Sequence, residues 1–155
     1  SAVSDQSADL IETRRALMSA LSTQMQVWES QGEAPAGDPL QLYASSQLME
    51  QILRSFPVLF TPETNPASSD FPAGTTSEAS PAIWEDFAAF VELTNQGADL
   101  AASIASVTDG AKFQELVGQA RRNCTECHEL YLEYSVQIPS SDDLGDAVNS
   151  LGSFL

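Results

Sequence analysis

The segment Asp109-Gly110-Ala111-Lys112-Phe113-Gln114-Glu115-Leu116-Val117-Gly118-Gln119-Ala120-Arg121-Arg122-Asn123-Cys124-Thr125-Glu126-Cys127-His128 reads as a helix that carries a chemical motif near its far end. Asp109-Gly110 caps its start, and Phe113, Val117, Ala120, Cys124 and Cys127 recur at spacings of three and four, continued by Tyr131 and Tyr134. That period turns both cysteines inward. They are the only 2 cysteines in the chain, and the residue directly after them is its 1 histidine.

Thiols at i and i+3 share a helix face, within reach of two vinyl groups along one edge of a porphyrin, and the next residue can turn an imidazole toward the iron. Cys124-x-x-Cys127-His128 therefore predicts one haem c, held by two thioethers, with His128 as proximal ligand. The remaining ring N–H is expected to be held by a carbonyl, carboxylate or water. Other uses of the pair fit less well. A redox-active Cys-x-x-Cys normally opens a helix after a strand, whereas this one lies about fifteen residues into a helix. Zinc would have to recruit carboxylates, since no further Cys or His exists, and a disulfide between helical positions three apart is strained. With a single histidine, bis-histidine ligation within one chain is excluded, so the sixth position falls to Met, water or nothing. The methionines are Met18 and Met25 on a first helix and Met49 on a second, and a core Met ordinarily fills space.

Upstream, Leu10, Ile11, Leu17, Met18, Leu21, Met25 and Trp28 mark helix one. Leu42, Met49, Ile52, Leu53 and Phe56 mark helix two, which Pro57 ends. From Pro57 to Ser80 no period is sustained, which predicts a long loop, either covering or mobile. Ser80-Pro81 has the form of a helix start, and helix three carries Ile83, Phe87, Phe90, Val91, Thr94, Ala98, Ala101 and Ala105 on its inner stripe. No stretch alternates with period two, and no internal repeat is present. The expectation is an all-α, antiparallel four-helix bundle over residues 1–136, with a long loop between helices two and three. Residues 137–155 form a C-terminal extension, in which Asp142 or Asp143 can cap a short helix bearing Leu144, Val148 and Leu151.

Charge narrows the partners. The 22 acidic against 6 basic residues give a net charge of -16, which disfavours nucleic acid and anionic lipid and favours basic proteins or cations. The same acidity also serves plain solubility. No apolar run approaches the roughly 20 residues of a membrane span. Ser1-Ala2-Val3-Ser4-Asp5 does not look like a secretion signal, so one is expected to have been removed.

Taken together, the chain resembles the cytochrome c prime family, including its low-spin relatives. The resemblance rests on Thr13-Arg14-Arg15-Ala16-Leu17-Met18, on Pro81-Ala82-Ile83-Trp84-Glu85-Asp86-Phe87, and on Cys124-Thr125-Glu126-Cys127-His128-Glu129-Leu130-Tyr131. It implies a four-helix bundle, a periplasmic location, thioethers at Cys124 and Cys127, ligation by His128, and often a homodimer. It places Met18 at the family's distal position, where Met is a ligand in the low-spin relatives and unbound in some five-coordinate members. It also places Arg14 where a guanidinium can pair with a haem propionate, the alternative being a solvated surface arginine. Trp84 and Phe87 are expected to pack near the haem. Leu132 departs from the family, which usually has Arg or Lys there, and so does the extension.

The favoured expectation is a periplasmic electron carrier, with Met18 and His128 both on the iron and partners that present a basic docking surface. The competing one is a five-coordinate protein in which Met18 only shields a pocket for nitric oxide or carbon monoxide. A haem-storage or interaction module is a third. No hydrolytic constellation appears, because the one histidine is committed, so the chain is not expected to be an enzyme.

Overall fold

A computed structural model describes residues 2–33 and 38–133. Its helices are α1 (Ala2–Ser30), α2 (Pro39–Ser55), the single turn α3 (Ala82–Glu85), α4 (Phe87–Ile104) and α5 (Gly110–Tyr131). The four long ones form a four-helix bundle, with α2 against α4, α4 against α5, and α1 against α5 and α2. No strand occurs among the described residues.

Aspartates set three of the starts. Asp38 accepts a hydrogen bond from Leu40 N at 2.9 Å with proline at the first helical position, and Asp109 accepts from Lys112 N at 2.8 Å. Asp86 accepts from Ala89 N at 3.1 Å, and this cap corrects the sequence expectation of one unbroken third helix. At φ -137 and ψ 73 the Asp86 backbone leaves the helical region, so the chain stops at α3 and restarts as α4. A short acceptor beside free N–H groups competes with helix continuation and wins here. Ser80 still does what its position suggested, its Oγ accepting from Ala82 N at 3.1 Å. Phe87, beside the break, is 38% exposed and lies off the inner stripe.

Two apolar clusters fill the interior. One gathers Trp28, Met25, Met49, Ile104 and Phe113, and the other Phe56, Phe60, Ile83, Phe90 and Tyr131. Leu17 and Met18 touch both, while Cys124 packs against the first cluster and Cys127 against the second. The motif thus sits where the two halves of the core meet.

The loop between α2 and α3 is a covering one. It opens with two 3-10 turns, Phe56–Leu59 and Pro62–Thr64, and both lie against α1. Its far end is stitched to the end of α5: Ser80 N donates to Tyr131 O at 2.8 Å and Glu133 N to Glu78 O at 2.7 Å. Trp84 Nε1 braces the near end by donating to the carbonyls of Phe60 at 3.2 Å and Thr61 at 3.1 Å. None of the described helices is long and apolar enough to cross a membrane. Tyr134 and the expected extension, residues 137–155 with its short helix, lie outside the described residues.

Candidate functional site

α5 brings Cys124, Cys127 and His128 to one side, each half-buried, both cysteines as free thiols. Cys127 and His128 border a cavity of about 360 Å³, within the roughly 300–1,000 Å³ usual for ligand pockets. α1 contributes Arg14 and Met18 to its wall, the loop contributes Ser77 and Ala79, and the end of α5 adds Tyr131 with Leu132 just beyond it. A second, apolar cavity of about 40 Å³ shares Met18, Cys127 and His128 and adds Cys124 and Met25. Four of the five site residues read from the sequence therefore line the larger cavity, and the fifth, Cys124, lines its neighbour.

Burial sets the electrostatics of both thiols. Burial raises the Cys124 thiol, with Arg121 pulling it partly back. Burial pushes Cys127 up to about 12, with Cys124 and Glu126 adding to the shift. Thiols held this firmly in the neutral form are poor nucleophiles for disulfide exchange. No group of three or more His, Cys, Asp or Glu among the described residues is placed to hold a metal ion.

Burial lowers the His128 pKa, with Arg121 adding to it, so the imidazole is neutral at neutral pH and keeps a lone pair for a metal. Its Nδ1 is buried and meets no hydrogen-bond partner among the described residues, where the sequence reading expected a carbonyl, carboxylate or water. A buried ring nitrogen without a partner costs about 1–3 kcal/mol.

Arg14 is 5% exposed and is not a surface residue. Its Nη1 donates to Thr64 Oγ1 at 2.9 Å and, more weakly, to Leu59 O at 3.5 Å, while Nη2 donates to Ser77 Oγ at 3.1 Å. The guanidinium carbon stands 4.3 Å from the Phe60 ring centroid, a cation–π contact. Burial, and then Arg15, bring its pKa down to about 10, so it remains charged at neutral pH. No carboxylate among the described residues forms an ion pair with it. A buried cation with only neutral acceptors lacks an anion, and the cavity beside it has room for one.

These features fit a haem: two thiols one helical turn apart, a neutral imidazole beside them, and a buried cation at the wall for a propionate. Trp84 and Phe87, expected near the haem, do not line either cavity. Trp84 braces the loop, and the Phe87 ring lies 6.0 Å between centroids from Phe90, which borders the larger cavity. Leu132, where the family usually has a cation, is half-buried at the wall. The sequence reading missed Thr64 and Ser77, which hold Arg14. Neither carries a signal a sequence can show, since both lie in the aperiodic loop.

Residues 9–131 match the profile of the family described as Cytochrome C'. Among solved structures, cytochrome c' from Thermochromatium tepidum is 17% identical at a TM-score of 0.67, with 83% of this chain and 97% of that one covered. A triple mutant of Rhodopseudomonas palustris cytochrome c' is 22% identical at a TM-score of 0.67, covering 81% and 98%. A cytochrome c' described as having an unusual ligand-controlled dimer dissociation is 18% identical at a TM-score of 0.67, covering 83% and 97%. None of the curated protein sequences matches the chain.

Proposed function

Because this chain belongs to the cytochrome c' family of haem c proteins, we propose that it is a periplasmic electron carrier with one covalently bound haem, held between Met18 and His128. The observation that carries this reading is that Met18 of α1 and His128 of α5 border the same two cavities, at the seam between the two core clusters. Cys124 and Cys127 would hold the group covalently, the neutral His128 imidazole and the Met18 thioether would ligate the iron, and Arg14 would pair with a propionate. When bound, the haem supplies a one-electron couple between ferric and ferrous iron.

The protein's part is to fix these groups. His128 and Met18 stand on two helices that pack against each other, which would hold both ligands in place as the electron arrives and leaves. Tyr131, Phe60 and Phe90 line the cavity with apolar surface, which would limit the access of water to the iron. The soft thioether favours the ferrous state and raises the potential relative to a bis-histidine site. The acidic surface suits a basic redox partner, and a homodimer is consistent with the family.

The ferric protein is expected to show the sulfur-to-iron charge-transfer band, and Met18→Ala is expected to abolish it and leave a high-spin haem. A second reading, a five-coordinate binder of nitric oxide or carbon monoxide, is favoured by the small apolar cavity beside Met18, large enough for a diatomic molecule. A wild-type ferric spectrum that is already high-spin, with rapid carbon monoxide uptake by the ferrous form, would replace the first reading by the second.

A further inference from the structure

Ser77 has a hydrogen-bond donor that no acceptor among the described residues takes. Its Oγ accepts from Arg14 Nη2 at 3.1 Å and from its own loop at Ala79 N, 3.2 Å. Those two bonds occupy both acceptor positions of a hydroxyl, so its one proton must point elsewhere, and no acceptor among the described residues takes it. Thr64 shows the contrast: it also accepts from Arg14, but its hydroxyl donates to Thr61 O at 2.8 Å. Ser77 and Arg14 border the same cavity, and Arg14 is a buried cation with no anion opposed to it among the described residues. A hydroxyl that accepts from a guanidinium is polarised, which makes its O–H a stronger donor. Its position is fixed as well. The Ala79–Leu132 bridge ties the strand of loop around it to α5, and Arg15 ties Thr76 to α1.

We propose that Arg14 and Ser77 form a two-pronged clamp for one carboxylate, a positively charged prong from α1 and a hydroxyl prong from the loop. On the haem reading above, on which this inference rests, the carboxylate is a haem propionate, and Ser77 is a positioning residue for the cofactor. The loop then does more than cover the cavity, because it brings the second donor to a site whose first donor lies 63 residues earlier in the chain.

The test is infrared difference spectroscopy, oxidised minus reduced, on haem-loaded protein carrying propionates labelled with carbon-13. Ser77→Ala is expected to shift the carboxylate stretch of one labelled propionate and leave the other unmoved, and Ser77→Thr is expected to restore it. Arg14→Gln should shift the same band, since both prongs hold one group. A purely structural Ser77 would lower the melting temperature in Ser77→Ala while both labelled bands stay in place, and that result overturns the clamp. The visible spectrum, taken first, separates the two failures: colourless protein overturns the haem reading together with the clamp, whereas coloured protein with unmoved bands overturns the clamp alone.

Discussion

Arg14 takes a positive charge into the interior and meets a threonine, a serine, a carbonyl and an aromatic face, none of which neutralises it. A charge in that position is a liability in the haem-free chain and an asset once a carboxylate arrives. Arg14→Met should therefore destabilise the haem-loaded protein by about 1.5–3 kcal/mol more than it destabilises a haem-free Cys124→Ala, Cys127→Ala form, the worth of hydrogen bonds to a charged group. Denaturant unfolding of the four species measures it, and equal losses in both forms would show that the cation serves packing only. At this scale the covalent chemistry was the most legible part of the sequence. Two thioethers and an axial imidazole demand fixed spacing, so Cys124, Cys127 and His128 announce themselves. Met18 and Arg14 were reachable through resemblance to a family. Ser77 and Thr64 were not, because a loop hydroxyl has no period and its partner lies 63 or 50 residues away.

Helices were legible where burial imposes a 3.6-residue repeat. Trp28, Met25, Leu42, Met49, Phe113 and Val117 all lie inside as the periodicity of α1, α2 and α5 requires. The third helix shows where the same reading stops: Ile83 and Phe90 keep an inward period across Asp86, yet the side chain of Asp86 caps a new helix there, and periodicity alone does not register that local competition. The loop was legible only as the absence of a period, while its order comes from contacts distant in sequence. Close approach between elements leaves a mark at Gly97 of α4. A Cβ there would stand 2.5 Å from Asn123 Oδ1 and 3.3 Å from Leu53 Cδ1, at the meeting of α4 with α5 and α2. Asn123 cannot retreat freely, because its Nδ2 donates to Leu93 O at 3.2 Å. Gly97→Ala is thus expected to cost about 1–3 kcal/mol through overpacking, despite alanine's better helix propensity. A chemical-denaturation midpoint equal to or above that of the wild type would contradict the tight α4–α5 contact.

Across the whole molecule the net charge is -16, and four of the basic side chains are already opposed by carboxylates: Arg15 by Glu12, Arg54 by Glu50 and Asp99, Lys112 by Glu115, and Arg121 by Glu29. These exposed pairs add little stability, but they leave the outer field almost wholly negative. Electron transfer to a basic partner should therefore slow as ionic strength rises from about 10 to 150 mM, over which the Debye length contracts from about 30 to 8 Å. Stopped-flow rates that do not change with salt would refute electrostatic docking. On the proposed function, a haem is fastened to α5 through Cys124 and Cys127. Mass spectrometry of the acid-denatured protein, made with cytochrome c maturation machinery, tests it most directly. The mass of the chain plus one haem, with the added mass on the peptide containing Cys124 and Cys127, is the predicted result; the mass of the bare chain would contradict it.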